Sequence, residues 1–201
     1  YNHARYLKSR LFSIANQTIS NFEANLLDDA SSDNSVSILN NFLSDSRFHL
    51  YRNAKNSGST FAQWNKGVAH ALNEYVWIAE SDDIADKFLL ETLVKKMEAD
   101  SEIVLAYCQS NRINENDEIT GSWKDFTTDL ECSELFDRDF IMNGKEYISK
   151  FLIHRNTIPN ASAVLFRKSI FQKVGGAPAH LKTNGDWLTW LKMLCYGKVA
   201  F

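Results

Sequence analysis

The sequence predicts an α/β domain with a largely parallel central sheet. Short apolar segments typical of strands alternate with longer segments whose apolar residues recur at helical spacing. That alternation indicates βαβ units, in which helices cover the faces of a mainly parallel sheet. Acidic residues directly follow two of the predicted strands, and ligands of such sheets bind beyond the carboxyl ends of the strands.

The first half of the chain is the more regular part. Leu7, Leu11 and Ile14 would share one face of the first helix, and Asp33 and Ser35 are residue types that cap the start of the second. The first helix is predicted at residues 4–18, and two further helices are predicted at 60–72 and 87–99. Strands are predicted at 22–27, 48–52, 75–79 and 103–108.

The second half follows a weaker pattern. Residues 111–139 are polar and acidic with little periodicity, which predicts a long irregular segment. Beyond it, helices are predicted at 144–154 and 186–196, strands at 163–166 and 199–201, and a short helix that ends at Gly175-Gly176.

Composition limits the class of protein. A chain of 201 residues with 44% hydrophobic and 23% charged residues fits one globular domain. The formal net charge of −3 and the lack of a Lys/Arg cluster argue against nucleic-acid binding. Cys108, Cys132 and Cys195 match no metal spacing and are interpreted as reduced thiols of a cytosolic protein. No signal peptide and no apolar run of the ~20 residues that a membrane span needs is found in the sequence.

Two acidic clusters at strand ends suggest a cation site. Carboxylates that converge repel one another, and Mg²⁺ or Mn²⁺ offsets this repulsion while leaving positions for substrate phosphates. Aspartate and serine also follow strands because they form turns and cap helices, an alternative that holds at least equally for Asp33. The six acids are Asp28, Asp29, Asp33, Glu80, Asp82 and Asp83.

Five motifs in order along nearly the whole chain resemble the family 2 glycosyltransferases. These enzymes have a GT-A fold, a Rossmann-like, mostly parallel (mixed) central sheet flanked by helices. The resemblance therefore implies a single catalytic domain over residues 1–201, truncated at both ends, with a nucleotide-sugar-binding half at 1–109 and an acceptor-binding half at 110–201. The motifs are Tyr1-Asn2-His3, Leu26 to Ser35, Asn53 to Gly67, Glu80-Ser81-Asp82-Asp83, and Gly185-Asp186-Trp187.

The resemblance also implies a role for each site residue. Glu80 stands where the family has its first metal-binding aspartate, so Asp82 and Asp83 are expected to lie closer to the cation. Asp186 would be the general base, although its position alone suits a helix cap better. The donor nucleotide would contact Tyr1, Asp28, Asp29, Asn56 and Asp82.

Three further candidates carry weaker arguments. His180 could bind the metal or the diphosphate, although a lone histidine in a loop is more often simply solvated. Trp187 and Asn160 could line the acceptor side, and for Trp187 a partly buried aromatic ring is the more common outcome.

The function implied by the resemblance is glycosyl transfer. A sugar, most simply from a UDP-sugar, would pass with inversion to a hydroxyl of a saccharide or lipid-linked acceptor in bacterial cell-surface polysaccharide synthesis. The protein would be cytoplasmic, at the inner face of the membrane, with peripheral membrane contact through parts outside these residues. The alternative is a non-catalytic module of the same fold that binds a nucleotide or sugar.

Two other enzyme classes fit less well. A phosphatase with an aspartate nucleophile would need Asp-x-Asp-x-Thr/Val, and Ala30 and Ser32 break that pattern. No glycine-rich phosphate loop is present in the sequence, which argues against P-loop and dinucleotide-binding enzymes.

Overall fold

The computed structural model describes residues 1–158 and 160–201. Helices and strands alternate from α1 to β4, as the sequence predicts for the first half of the chain. The helices are α1 (Ala4–Ala15), α2 (Ser35–Asn40), α3 (Thr60–His70), α4 (Leu89–Ala99), α5 (Gly144–Tyr147), α6 (Lys168–Lys173) and α7 (Gly185–Leu194). The strands are β1 (Ala24–Asp28), β2 (Phe48–Arg52), β3 (Tyr75–Trp77), β4 (Ile103–Tyr107), β5 (Asn111–Ile113), β6 (Ile119–Ser122), β7 (Ile141–Asn143), β8 (Val164–Arg167) and β9 (Lys198–Ala200).

The central sheet is mixed. Its five strands lie in the order β3-β8-β4-β9-β7, and β4 with β9 is its parallel pair. Strand β8 lies between β3 and β4 and runs antiparallel to both. The parallel strands β1 and β2 form a separate two-stranded sheet. The expectation of an α/β fold with a mixed sheet is confirmed, but antiparallel pairing is more frequent than predicted, because alternation along the chain does not fix which strands become neighbours.

Helices cover both faces of this sheet. Strand β4 is buried along its whole length. On one face Val104, Leu105 and Tyr107 belong to the largest apolar cluster, which includes residues of α3 and α7. On the other face Ile103 and Ala106 pack with the buried residues of α4.

The segment 111–139 is more ordered than predicted. It contains the hairpin of β5 and β6 and two short 3₁₀ helices, Trp123–Phe126 and Ser133–Asp137. Ser122 and Asp125 form a capping box at the first of these 3₁₀ helices. The strands are exposed and short, so they leave no apolar alternation in the sequence.

Two predicted helices differ from expectation. The helix at 144–154 is one α-helical stretch, α5, followed by a π-helical turn over Ile148–Leu152, in which the Ile153 amide donates to the Ile148 carbonyl at 2.9 Å. The second predicted helix was expected to bury Leu39, Phe42 and Leu43 on its inner face, but α2 ends at Asn40, before the last two.

Asp33 links the starts of two helices. One carboxylate oxygen accepts from the Ser35 amide at 2.9 Å and the other from the Ala4 amide at 3.0 Å. Asp33 therefore satisfies the first amide of both α2 and α1, although the cap position of α2 itself is Asn34, whose side chain makes no capping hydrogen bond.

Candidate active site

A cavity of about 1030 Å³ gathers most of the residues assigned to the donor nucleotide. Its lining includes residues of both β1 and β3. Four of the five nucleotide candidates line it, and so does the metal candidate Glu80, whereas the fifth nucleotide candidate, Asp82, lies elsewhere. The predicted residues in the lining are Tyr1, Asp28, Asp29, Asn56 and Glu80.

Asp29 is the most heavily hydrogen-bonded acid of this cavity. Its carboxylate accepts from Asn53 Nδ2 at 2.5 Å, from the Ser57 amide at 2.9 Å, from Ser57 Oγ at 2.8 Å and from Gln63 Nε2 at 3.0 Å. Burial by itself would raise the pKa of Asp29, but hydrogen bonds from Asn53 and Ser57 outweigh it and hold the pKa below the ordinary 3.8. The group is therefore fixed in place as an anion.

The neighbouring nucleotide candidates are held by shorter networks. The buried Asp28 carboxylate accepts from the Ser31 amide at 3.2 Å and lies 3.8 Å from Arg52 Nε. The Asn56 side chain donates to the Asp29 carbonyl at 2.9 Å. Tyr1 is exposed at the cavity, so its ring is free to pack against a ligand.

Glu80 turns inward from the acidic motif that follows β3. It accepts a hydrogen bond from the indole N–H of Trp64 at 2.7 Å. Burial raises the pKa of Glu80 above its ordinary value, and the Trp64 hydrogen bond opposes that shift in part.

Arg10 supplies a buried positive charge next to this motif. Its Nη2 donates to Ser162 Oγ at 3.0 Å, and its guanidinium lies 4.8 Å from the centre of the Trp77 ring. Burial lowers the pKa of Arg10 to about 10, although the charges of Asp83, Glu80 and Asp82 act in the opposite direction. At neutral pH the cation therefore offsets part of the acidic motif's charge.

Asp82 and Asp83 lie on a second, smaller cavity. Its volume is about 710 Å³, and Arg5 and Tyr6 of α1 also line it. Asp82 is exposed and Asp83 is half-buried. Glu80 and the two aspartates thus face different surroundings, although only one residue separates Glu80 from Asp82.

The carboxylates of this second cavity fit a hard divalent cation whose remaining coordination positions are filled by a bound ligand and water. Among residues 1–158 and 160–201, no three His, Cys, Asp or Glu side chains gather closely enough to hold a metal by themselves. Mg²⁺ and Mn²⁺ commonly use one or two protein carboxylates together with substrate phosphates and water. Asp82 and Asp83 offer such a partial set. The exposed His180 does not lie in a group of three or more candidate ligands among the described residues.

Asp186 stands in the first turn of α7. Its carboxylate accepts from Asn156 Nδ2 at 3.0 Å. The residue before the helix is Asn184, in a left-handed conformation with φ of 58°, and its side chain makes no capping hydrogen bond. Asp186 therefore does not occupy the cap position of α7, and its carboxylate bonds Asn156 instead of capping the helix.

The acceptor candidates lie in different surroundings. Trp187 is half-buried, packs against the main core and donates its indole N–H to the Leu152 carbonyl at 2.7 Å. Asn160 donates to Ser110 Oγ at 3.2 Å, at the start of the segment that contains the hairpin.

One short stretch of chain connects the first cavity to α7. Ser57 bonds the Asp29 carboxylate, and Ser59 Oγ donates to the Ala179 carbonyl at 2.9 Å. Phe61 packs on Gly185 so closely that a Cβ there would lie 2.4 Å from its ring. Residues 57–61 thus link the cavity that Asp29 lines to the start of α7, the helix that bears Asp186.

Sequence reasoning did not single out several residues that build the site. The signal for Arg10 was available, because it follows Leu7 by three residues and so falls on the buried face of α1. The others act through contacts between distant segments, for which no spacing rule exists. They are Asn53, Gln63, Trp64 and Asn156.

Comparison with known sequences identifies the family. The model of the family described as Glycosyl transferase family 2 matches residues 1–175. Glycosyltransferase GlyG of Streptococcus pneumoniae serotype 4 is 32% identical over 177 residues, covering 87% of this chain and 56% of GlyG. The chain belongs to glycosyl transferase family 2, as its motifs predicted. It spans 56% of the length of GlyG and a smaller share of other curated relatives that it matches.

Comparison with solved structures identifies the fold. S. aureus TarS 1-349 in complex with UDP-GlcNAc superimposes with a TM-score of 0.76 at 17% identity, over 100% of this chain and 53% of that one. The mannosyltransferase PcManGT from Pyrobaculum calidifontis, in complex with GDP-Man and Mn²⁺, gives 0.73 at 20% identity, over 99% and 51%. The fold is GT-A, as predicted. None of the described helices has the length and hydropathy of a membrane span.

Proposed function

We propose that the protein transfers a sugar from a UDP-sugar to an acceptor hydroxyl, with inversion and with a divalent cation. The observation that carries the proposal is the stretch 57–61, which joins the donor acids to the helix that bears Asp186. A donor pocket and a carboxylate base on adjoining elements are the two parts that such a reaction needs.

The donor nucleotide occupies the cavity at the carboxyl end of β1. The anionic, rigid Asp29 and its neighbour Asp28 accept hydrogen bonds from base and ribose donors, and Asn56 offers a further polar contact. Tyr1 covers the base. The likeness to TarS, which binds UDP-GlcNAc, and to PcManGT, which binds GDP-Man and Mn²⁺, supports a nucleotide-sugar ligand.

Asp82 and Asp83 are the residues that would hold the cation. Mg²⁺ or Mn²⁺ supplies charge neutralisation for the diphosphate as it leaves. Glu80, which is bonded to Trp64 and faces inward, shapes the turn that presents the two aspartates.

Asp186 acts as the general base. It takes the proton from the acceptor hydroxyl while that oxygen forms a bond to the anomeric carbon and the bond from that carbon to the diphosphate breaks. Attack from the face opposite the leaving group inverts the anomeric configuration. Assistance of this kind is worth about 10²–10⁴-fold in rate.

The acceptor is a saccharide or lipid-linked hydroxyl that binds on the side of residues 110–201. Trp187 and Asn160 flank it there. We place the reaction in bacterial cell-surface polysaccharide synthesis at the inner face of the membrane, in keeping with bacterial relatives such as GlyG.

The test is release of UDP by the full-length protein from UDP-Glc, UDP-Gal and UDP-GlcNAc in the presence of Mn²⁺, with water as the nucleophile that accepts the sugar. Release of UDP is expected with at least one donor, and Asp186→Asn is expected to lower it by about 10²–10⁴-fold. The exposed Glu134→Ala is the matched control and should retain activity. UDP release that is unchanged in Asp186→Asn would contradict the proposal, and tight UDP binding without turnover of any donor would favour the non-catalytic alternative.

A further inference from the structure

We infer that Asn156 is a positioning residue that sets the orientation of the Asp186 carboxylate. The inference rests on the proposed function, because it assigns Asn156 a task only if Asp186 is the base. It starts from the hydrogen bond of 3.0 Å between Asn156 Nδ2 and Asp186 Oδ2.

This hydrogen bond engages one carboxylate oxygen and leaves the other for the acceptor. A carboxylate in the first turn of a helix commonly turns back to its own backbone amides, as capping residues do. In this chain Asp186 instead bonds to a side chain thirty residues away. The bond therefore fixes the rotamer of Asp186 toward the segment that contains Asn156.

The orientation of the Asn156 amide is itself determined. Its Oδ1 accepts from the Ile158 amide at 3.4 Å, so the NH₂ group is the end that faces Asp186. The opposite amide orientation would place Oδ1 against the carboxylate, with two acceptors in contact and no proton between them. The network thus selects one arrangement.

Asn156 is anchored to the central sheet through its neighbour. Thr157 is buried, and its hydroxyl lies 2.7 Å from the Tyr147 hydroxyl, which lies 2.7 Å from the Tyr107 hydroxyl on β4. On the other side, the Trp187 indole bonds to the Leu152 carbonyl. The base and its positioning residue are therefore tied to each other and to β4, which is the kind of rigid support that catalytic groups need.

The test compares Asn156→Ala, Asp186→Asn and the double variant in the full-length protein. Asn156→Ala is expected to lower kcat about ten- to a hundredfold, because a carboxylate that is no longer oriented reaches the productive geometry less often. The KM for the nucleotide sugar should stay within about twofold, since the donor pocket is untouched. Asn16→Ala, an exposed asparagine after α1, is the matched control and should behave as wild type.

The double variant separates positioning from a merely structural effect. If Asn156 acts through Asp186, adding Asn156→Ala to Asp186→Asn causes no further loss of kcat. A further loss equal to that of the single variant would overturn the inference, and so would an unchanged kcat in Asn156→Ala. If Asp186→Asn itself keeps wild-type kcat, the proposed base fails and the inference falls with it.

A crystal structure of Asn156→Ala supplies a readout that needs no substrate. The Asp186 side chain is expected to leave its wild-type rotamer or to occupy more than one. A single, unchanged rotamer would overturn the inference even if kcat had fallen.

Discussion

Trp64 and Glu80 form a half-buried hydrogen bond of 2.7 Å between the middle of α3 and the turn after β3. It divides the acidic motif, because Glu80 lines the same cavity as Asp29 while Asp82 and Asp83 line a separate cavity. Glu80 therefore supports the turn from within, and the two aspartates remain free to meet a ligand.

The first prediction separates these two tasks. Glu80→Gln keeps an acceptor for the Trp64 N–H, so the protein should retain its folding stability and bind UDP with Mn²⁺ within a fewfold of wild type. Glu80→Ala leaves the buried N–H without a partner, and the free energy of unfolding should fall by about 1–3 kcal/mol. Urea denaturation and calorimetry measure the two effects. Loss of metal-dependent binding in a stable Glu80→Gln variant would show instead that Glu80 is a ligand.

The second prediction concerns the pH dependence of stability. Because the folded-state pKa of Asp29 lies below its ordinary value of 3.8, its anion stabilises the folded protein above that pH. The contribution is lost as pH falls through the folded-state pKa. Asp29→Asn should therefore be less stable than wild type at pH 7, by about 1–3 kcal/mol, and the difference should shrink below pH 3.8. If the stability difference between Asp29→Asn and wild type were the same at pH 7 and below pH 3.8, the Asp29 anion would not be the stabilising group.

The third prediction is steric. Gly185→Ala puts a methyl group 2.4 Å from the Phe61 ring, so the start of α7 must shift. Overpacking of this kind costs about 1–3 kcal/mol, and turnover should fall with it because Asp186 moves too. Gly121→Ala is the control, since the atoms nearest its new methyl group belong to the end of the flexible Arg112 side chain. Thermal denaturation of both variants checks the result, and equal stability would count against close packing at Gly185.

The fourth prediction concerns the tyrosine pair that supports the Asn156 segment. Burial raises the pKa of Tyr147 to about 12 and that of Tyr107 well above 10. Since both are raised in the folded state, their stabilising effect is present below pH 10 and is lost as pH rises toward 12. Tyr147→Phe should be less stable at pH 8, because Tyr107 and Thr157 lose their shared partner, and its stability should fall less steeply above pH 10.

Urea denaturation between pH 8 and 11.5 measures that dependence. Tyr196→Phe is the control, since Tyr196 is exposed. If the free energy of unfolding of Tyr147→Phe fell with pH above pH 10 as steeply as that of wild type, the buried Tyr147 hydroxyl would not be the cause of the alkaline loss of stability.

The local spacing of apolar residues predicted most of the helices and strands. The strand at Phe48–Arg52 was predicted with its observed bounds, and α3, α4 and β4 within two residues at either end, because each has a clear apolar period and recognisable ends. The hairpin of β5 and β6 was missed because its strands are short and mostly exposed, so burial leaves no alternation to detect. The position of β8 between β3 and β4 was missed because strand order depends on contacts distant in sequence.

In the candidate site, too, residues in local motifs were predicted, whereas residues that act through contacts distant in sequence were not. Asp28, Asp29 and Asn56 were predicted from motifs as nucleotide-binding residues, and the structure brings them to one cavity. Asn53 and Gln63 hold Asp29 through contacts across the loop and α3, and Asn156 meets Asp186 across thirty residues. Asparagine and glutamine in loops and on helices carry no period, so only the folded geometry reveals their partners.

The nucleotide-sugar donor site is tested by calorimetric titration of UDP into the full-length protein, with Mn²⁺ and with a chelator, for wild type and Asp82→Ala. Binding is expected to require Mn²⁺ and to be weakened at least tenfold, or about 1.4 kcal/mol, by Asp82→Ala, whereas Glu134→Ala is expected to bind as wild type. Absence of binding by UDP, and equally by GDP and TDP, under every metal condition would contradict a nucleotide-sugar donor site.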